Sequence, residues 1–216
     1  MNYPERFGFT LAEVLITLAI IGVLATLSIP ALVQKANEQT YNTGAKAAMA
    51  NLSQAVMMIR AKNEGVLHVG ANDSYSFAND FCNVMTCTEM SNTMTIFGAN
   101  GTNYKYYKGD YSGWPNTTGD TAPAAKLNNG QYVKFQDKAD CSNNNVNACA
   151  AVGIDINGAK GPNMHGYDFF LFWVTLNNGV YSIIPRGVPA GDGTSCVAGS
   201  SDGLKSQGCA YVRIYD

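Results

Sequence analysis

The chain has 216 residues, of which 46% are hydrophobic and only 14% are charged, and its formal net charge is −2. The charged fraction is well below the roughly 25% of a typical soluble domain. The near-neutral balance gives no basic surface, so we expect no nucleic-acid partner. The length suffices for one ordinary domain or two small ones. With only two His in the chain, His-based catalysis and a His-rich metal site are not indicated.

The apolar residues are concentrated near the N-terminus. Between Phe9 and Gln34 the only ionisable side chain is Glu13, and about 20 apolar residues are enough to cross a bilayer. A secretory signal peptide would have a shorter apolar region behind a basic segment, whereas Arg6 is the only basic side chain before Phe9. A simple membrane anchor would not explain Glu13, because a carboxylate is costly in lipid and is usually functional there.

Beyond Val33 the pattern becomes amphipathic. Apolar residues follow spacings of three and four, which places them on one face of a helix. Met57 and Met58 are expected to fill the core beside this face. The residues of the predicted face are Tyr41, Ala45, Ala48, Leu52, Ala55 and Ile59, widened by Val56.

The two apolar patterns join without a break, so we predict one continuous helix. It extends from about Thr10 to Glu64 and is ended by Gly65, a residue suited to a helix C-terminus. Residues 9–33 would form its membrane part. Residues 34–65 would form an amphipathic part that continues into the globular head.

A short motif at the start of this helix carries a family resemblance. Gly8-Phe9-Thr10-Leu11-Ala12-Glu13, followed by an apolar helix with Gly22 and Pro30, resembles the class III signal of type IV pilins and type II secretion pseudopilins. The resemblance covers about residues 6–60 and is much weaker beyond them. It implies a pilin-like fold, in which the long helix packs on an antiparallel sheet.

The resemblance implies a fate for each residue of the motif. Residues 1–8 would be a leader peptide that prepilin peptidase removes by cutting between Gly8 and Phe9. The same enzyme would methylate the new amine of Phe9. Glu13 would pair with the N-terminal amine of a neighbouring subunit, because an unpaired carboxylate in lipid is costly, and this pair would guide assembly.

The residues themselves offer alternatives to two of these roles. Thr10 and Glu13 have the spacing of a capping box, in which each satisfies a backbone amide of the other, and Glu13 can serve both purposes. Pro30 lacks an amide hydrogen, so with Gly22 it is expected to kink or locally melt the helix. The alternative is an ordinary membrane-helix proline, whose freed carbonyl is satisfied by its neighbours.

The head, residues 66–216, is composed of short apolar or aromatic runs separated by Gly, Asn and Pro, which predicts strands and loops. Asn-Asn-Gly occurs at 128–130 and again at 177–179, each time before alternating residues, and this predicts two hairpin turns. The run at 169–174 is expected to be a central strand packed on the helix. The predicted fold class is therefore α+β, with a long N-terminal helix, an antiparallel sheet and disulfide-linked loops.

The six cysteines all follow the apolar segment, and none forms a Cys-x-x-Cys pair, so a zinc ribbon or thioredoxin-type site is not indicated. An even count in an exported domain favours three disulfides, although the sequence leaves many connectivities open. Free thiols in a cytosolic protein are the alternative, against which the N-terminus argues. We predict that chain neighbours pair, giving Cys82–Cys87, Cys141–Cys149 and Cys196–Cys209; the last pair is similar to the C-terminal loop closure of many type IV pilins.

The densest cluster of oxygen ligands begins at Asp155. Asp155, Asn157 and Asp168 are candidate ligands for calcium, because alternate loop positions can aim several oxygens inward. The cluster is not a full EF-hand loop, since it lacks an acidic residue at the twelfth position. The alternative is a pair of Asx turns at Asp155 and Asn163. His165 is expected to be exposed and not to bind metal, and no cofactor other than the candidate calcium is expected.

The resemblance implies a filament subunit, either a pseudopilin of a type II secretion system or a pilin of a type IV pilus. Its partners would be other subunits, prepilin peptidase, the inner-membrane assembly platform and membrane lipid. Before assembly the chain would cross the bacterial inner membrane once, with its head in the periplasm or outside the cell.

A tip-located binding module is the alternative function. Its head would recognise a surface, a secreted substrate or DNA. An exported enzyme is not indicated, since the chain has no His-Glu-x-x-His and no paired acid motif. The patch to examine for binding consists of Tyr104, Lys105, Tyr106, Tyr107, Lys108 and Tyr111, for which a solvated loop is the simpler interpretation.

Overall fold

The first element is a long helix, α1, which runs from Leu11 to Lys62 in this computed structural model. The predicted continuous helix is thereby confirmed, with its ends within two residues of those expected. The chain divides into two compact units, Met1–Thr40 and Tyr41–Asp216. The structure describes residues 8–69, 74–91, 123–137, 141, 146–187, 196 and 208–215.

The C-terminal end of α1 is closed by backbone geometry. The amide of Gly65 donates to the carbonyl of Arg60 at 2.7 Å, a bond typical of a Schellman motif. Glu64 already has a left-handed φ of 54°, and Gly65 follows with 89°. The helix stop therefore begins at Glu64, one residue before the glycine that was predicted to end the helix.

One face of the second half of α1 is buried against the sheet. Phe135 and Phe170, which lie on strands, belong to the same hydrophobic cluster as this face, and Tyr41 packs at its edge. The expectation for the two methionines is wrong: the exposed fractions of Met57 and Met58 are 63% and 38%, since both lie off the buried face. The buried residues confirm the predicted face and are Ala45, Ala48, Leu52, Ala55, Val56 and Ile59.

A second helix, α2, spans Ser74–Met85, and the prediction of strands and loops is wrong for this segment. Phe77, Ala78 and Phe81 recur at helical spacing and are buried. The rings of Phe77 and Phe81 meet the ring of Phe135 edge-on, with centroids 5.5 and 5.1 Å apart. α2 thus adds its apolar face to the cluster that α1 enters.

Six strands form one sheet, and its spatial order is the order of the strands along the chain. Every neighbouring pair is antiparallel. Each strand therefore pairs with the next one in sequence, as in a β-meander. The strands are β1 (Cys87–Ser91), β2 (Ala124–Leu127), β3 (Tyr132–Asp137), β4 (Ala148–Asp155), β5 (Phe169–Asn177) and β6 (Val180–Pro185).

Strand β5 is an inner strand, between β4 and β6, which confirms the predicted central strand. Phe170 and Phe172 enter the cluster that contains α1, whereas Trp173 packs with Ala148 and Ala151 in a separate cluster. Successive side chains of a strand point to opposite faces. Both faces of β5 are therefore covered, which explains why its sequence is continuously apolar rather than alternating.

The two Asn-Asn-Gly segments form the predicted hairpin turns, but of different types. Asn178 and Gly179 alone connect β5 to β6 and have positive φ values of 50° and 78°, as a type I′ turn requires. Between β2 and β3 the positive φ belongs to Gly130 alone, at 86°. The amide of Gly130 donates to the carbonyl of Leu127 at 3.0 Å, which is typical of a type I turn followed by a bulge.

A short helix, α3, spans Cys209–Tyr215 and buries Cys209, Ala210 and Ile214. Ala210 and Ile214 join the same cluster as α1 and α2. The long N-terminal helix packed on a six-stranded antiparallel sheet, with disulfides, is the predicted pilin-like α+β architecture, which is confirmed.

Candidate functional site

The start of α1 is a capping box formed by Thr10 and Glu13. The hydroxyl of Thr10 accepts from the amide of Glu13 at 3.2 Å. The carboxylate atom Oε2 of Glu13 accepts from the amide of Thr10 at 2.8 Å and from its hydroxyl at 2.9 Å. The structure therefore contains the capping arrangement, which satisfies helix-start amides that would otherwise have no partner. The assembly role of Glu13 stays a prediction.

The helix that follows presents an apolar surface. The Leu, Ile and Val side chains between Leu11 and Val33 are all exposed. By length and composition, α1 is the one helix among the described residues that could cross a membrane, and its most apolar stretch is not buried. A signal sequence near an N-terminus would meet the same criterion. The surface fits single-pass membrane anchoring.

Pro30 lies inside α1, which stays helical on both sides of it. Local melting at this proline is therefore not seen in this structure. Pro30 cannot donate to the carbonyl of Thr26, while the hydroxyl of Ser28 donates to the carbonyl of Leu24 at 2.8 Å. At Gly22, no heavy atom lies within 4 Å of the position that a β carbon would occupy. A kink at Gly22 and Pro30 during assembly stays a prediction.

The carboxylate of Asp155, at the end of β4, is buried and organises a turn. Its Oδ1 accepts from the amide of Asn157 at 3.0 Å and from that of Gly158 at 2.8 Å. This is an Asx turn, the arrangement expected as the alternative to calcium at Asp155. The side-chain nitrogen of Asn157 donates to the carbonyl of Gly161 at 3.3 Å, which holds the far side of the loop.

The carboxylate of Asp168, before β5, closes the same loop. Its two oxygens accept from the amides of Asn163 at 2.8 Å and Met164 at 2.7 Å. Burial raises the pKa of Asp168 above its ordinary value of 3.8, and the hydrogen bonds from Met164, Asn163 and Asn157 oppose this rise. The loop is thus held by two buried carboxylates that bind its own backbone.

Two of the candidate calcium ligands, Asp155 and Asp168, therefore already accept hydrogen bonds from the chain, whereas Oδ1 of Asn157 is buried and accepts none. Within the described ranges, no three His, Cys, Asp or Glu side chains come together in a metal-binding group. The expected second Asx turn at Asn163 stays a prediction; its side-chain amide has an orientation that satisfies both of its polar atoms. In that orientation its nitrogen donates to the carbonyls of Lys160 at 2.8 Å and Gly158 at 3.2 Å. Calcium binding stays a prediction.

The expectation that His165 is exposed is wrong. Its side chain is fully buried, and its ring meets the ring of Phe169 edge-on with centroids 4.8 Å apart. Residues 165 and 169 also form a β-bridge. His165 is therefore part of the packing between the loop and β5, a role that its polar sequence surroundings did not indicate.

Arg213 of α3 connects the loop to α1, a contact that no local sequence pattern indicated. Its Nε donates to the carbonyl of Gly166 at 3.0 Å, and its Nη1 donates to Oδ1 of Asn42 at 3.3 Å. Its guanidinium lies 5.4 Å from the ring centroid of Tyr167. The ring of Tyr167 in turn meets that of Tyr41 edge-on at 5.8 Å.

Tyr41 is affected electrostatically by the groups around it. Burial raises the pKa of Tyr41 above its ordinary value of 10.0, and the negative charge of Asp168 raises it further, while Arg213 opposes both effects. Desolvation and a nearby carboxylate each disfavour a phenolate. Tyr41 is therefore held as a neutral ring between the loop and α3.

All six cysteines are joined in disulfides between chain neighbours: Cys82–Cys87, Cys141–Cys149 and Cys196–Cys209. Cys82 lies in α2 and Cys87 begins β1, so the first bond joins a helix to a strand rather than closing a loop. The third holds the first residue of α3. Such bonds reduce the freedom of the unfolded chain.

Two predicted features lie outside the described residues. They are the leader peptide apart from Gly8, and the aromatic and basic patch at 104–111. Gly8 and Phe9 themselves precede the first helical residue, Leu11, and the side chain of Phe9 is 90% exposed. The predicted cleavage position is therefore in non-helical chain.

Comparison with known proteins adds one match. Residues 5–29 match the family model described as the prokaryotic N-terminal methylation motif, which is the signature of the prepilin-type signal of type IV pilins and pseudopilins. This supports a pilin-like or pseudopilin subunit processed by prepilin peptidase. No curated protein matches the chain. No solved structure matches it either.

Proposed function

We propose that this chain is a filament subunit, a pseudopilin or minor pilin, of a type II secretion system or a type IV pilus. Prepilin peptidase cleaves and N-methylates it, and it assembles through its N-terminal helix. The observation that carries the proposal is the methylation motif at residues 5–29, placed at the start of a long helix with an exposed apolar surface. The motif and the fold suggest a structural subunit rather than an enzyme.

The local geometry at Gly8 and Phe9 supports the cleavage step. Both residues precede α1 and are exposed, so the bond between them is accessible without unwinding the helix. A protease generally needs an extended, accessible segment of chain. Cleavage there makes Phe9 the new N-terminus, close to the first turn of α1.

Glu13 has an oxygen left for a partner. Both hydrogen bonds from Thr10 go to Oε2, and among the described residues none is donated to Oε1. Glu13 also lines an open groove together with Phe9, Val14 and Thr17. In lipid, a carboxylate with a free oxygen strongly favours a cationic partner. The methylated amine of a neighbouring subunit has the required charge, so capping and assembly are compatible in one side chain.

The membrane steps follow from the same surface. Before assembly, α1 anchors the chain in the inner membrane, where the assembly platform takes it up. In the filament, the apolar surface between Leu11 and Val33 is then buried against other subunits, which removes it from lipid without exposing it to water. Homo- and hetero-filaments both satisfy this requirement.

Two variants separate the charge of Glu13 from its capping role. Glu13→Gln keeps a side chain that can cap the Thr10 amide but removes the charge. Thr10→Ala removes the cap and keeps the charge. We expect Glu13→Gln to be cleaved normally and to assemble at less than about a tenth of the wild-type level, since the lost ion pair is in lipid. Thr10→Ala should still assemble.

Filament yield is measured from sheared or membrane-extracted material, and leader cleavage is measured by immunoblot. If Glu13→Gln gives the same filament yield as the wild type, the charge of Glu13 has no role in assembly. A loss with Thr10→Ala that equals the loss with Glu13→Gln would assign the effect to helix capping instead.

The alternative function, a tip-located binding module for a surface, a secreted substrate or DNA, rests on the patch at 104–111. That patch lies outside the described residues, so no contact or distance favours this alternative. It stays a prediction of the sequence.

A further inference from the structure

One turn of α1, residues 41–44, lies at the edge of the hydrophobic cluster and is also held by the C-terminal helix. Ala45 is the first residue of α1 that is fully buried. Before it, Tyr41 and Asn42 are only partly buried and Thr43 is exposed. The contacts of Arg213 and Tyr167 fall on Tyr41 and Asn42, within this turn.

The preceding segment, residues 34–40, has neither lipid nor core to stabilise it. Its sequence, Gln-Lys-Ala-Asn-Glu-Gln-Thr, is polar, and it is exposed apart from partly buried Glu38. Helices without packing contacts are marginal in water, and Asn and Thr are weak helix formers. Between the apolar part of α1 and its buried part, residues 34–40 are therefore where the helix opens most easily.

Arg213 is suited to stop such an opening. One guanidinium donates to the Gly166 carbonyl and to the Asn42 side chain and also stacks on Tyr167. Arginine stays charged at any ordinary pH, and its planar group can make these contacts at once, which lysine cannot. The Cys196–Cys209 disulfide holds the first residue of the helix that carries Arg213.

We propose that Arg213 is a latch: it keeps residues 41–44 helical, so that opening of α1 at 34–40 stops one turn before the core begins at Ala45. The latch is a conformational device of the fold, and it does not depend on the proposed function. Without Arg213, opening would extend from 34–40 through 44 and would end at Ala45.

Hydrogen exchange of the full chain in detergent micelles, resolved to single residues by fragmentation, tests the latch. Each helical amide donates to the carbonyl four residues before it, so opening over 34–40 exposes amides up to residue 44, and the amides of 45–48 report whether residues 41–44 stay helical. In the wild type, the amides of 34–44 should exchange fast and those of 45–62 slowly. In Arg213→Ala, the amides of 45–48 should exchange about tenfold faster, while those of 49–62 change less than about twofold.

Arg60→Ala is the matched control. Arg60 makes the same kinds of contact at the other end of α1, donating from Nε to the Gly65 carbonyl at 3.2 Å and lying 5.4 Å from the Tyr181 ring. Its loss should speed exchange near residue 65 and leave the amides of 45–48 unchanged. If Arg60→Ala speeds exchange at 45–48 as much as Arg213→Ala does, the latch is refuted.

Two outcomes of the Arg213 variants complete the test. If Arg213→Ala speeds exchange at 163–168 and in α3 but not at 45–48, Arg213 only supports the loop and the latch is wrong. If Arg213→Ala speeds exchange throughout the head, the Arg213→Lys variant provides the test. Lysine keeps the positive charge, but it cannot donate two hydrogen bonds from a planar group or stack on Tyr167. Within α1, a rise of about threefold or more confined to the amides of 45–48 then supports the latch, and no rise there overturns it.

Discussion

Gly44 of α1 lies directly against Ile156, the residue after β4. A β carbon on Gly44 would overlap Cδ1 of Ile156 and would stand 3.4 Å from its Cβ and Cγ1. The amide of Ile156 donates to the carbonyl of Asp168 at 2.9 Å, so Ile156 is held in place by the loop. Gly44 thus permits α1 to approach the loop that carries Asp155 and Asp168.

We therefore expect Gly44→Ala to lower the free energy of unfolding by about 1 kcal/mol. Overpacking costs about 1–3 kcal/mol, and the better helix propensity of alanine offsets about 1 kcal/mol of it. Ile156→Val removes Cδ1, so Gly44→Ala should be neutral or stabilising in that background. Denaturant unfolding of the four proteins in detergent measures this coupling; equal effects of Gly44→Ala in both backgrounds would contradict the packing argument.

The raised pKa of Asp168 predicts a pH-dependent stability. The folded form binds this proton more tightly than the unfolded form. The contribution of Asp168 to the free energy of unfolding is therefore fully present below its ordinary pKa of 3.8 and is lost as pH rises through the raised folded pKa. Asp168→Asn does not titrate and serves as the reference. The free energy of unfolding of the wild type relative to Asp168→Asn should therefore fall as the pH rises from below 3.8; a difference that stays constant or grows would contradict the raised pKa.

A calcium titration tests whether the carboxylates of Asp155 and Asp168 bind a metal ion in addition to the backbone of the loop. Asp155 and Asp168 accept four backbone hydrogen bonds between them, and within the described ranges no third Asp, Glu, His or Cys side chain joins them in a metal-binding group. We expect no rise in melting temperature at about millimolar calcium. A clear rise that disappears in Asp155→Asn would contradict this expectation and support the calcium site.

The parts of the fold that follow a local pattern were predictable from the sequence. The buried face of α1 repeats every three or four residues, and the run at 169–174 is apolar throughout because both faces of β5 are covered. The helix α2 was not predicted, although Phe77, Ala78 and Phe81 have helical spacing. These three residues form only one short apolar stripe, which lies among polar residues and next to loop-forming sequence.

The parts that depend on distant contacts were not predictable. Arg213 and Asn42 are 171 positions apart, and nothing in either local sequence indicates their hydrogen bond. His165 lies in a polar turn, but the packing of that turn on β5 buries it. Met57 and Met58 show the converse: an apolar side chain next to a buried face need not belong to it.

The N-terminus of the native chain shows directly whether prepilin peptidase has processed it. Intact-protein and peptide mass spectrometry of chain purified from its own membranes or filaments reads that residue directly. We predict an N-terminal Phe9 that is one methyl group heavier than unmodified phenylalanine, with residues 1–8 absent. A mature chain that still begins at Met1, or an unmethylated terminus elsewhere, would contradict the account.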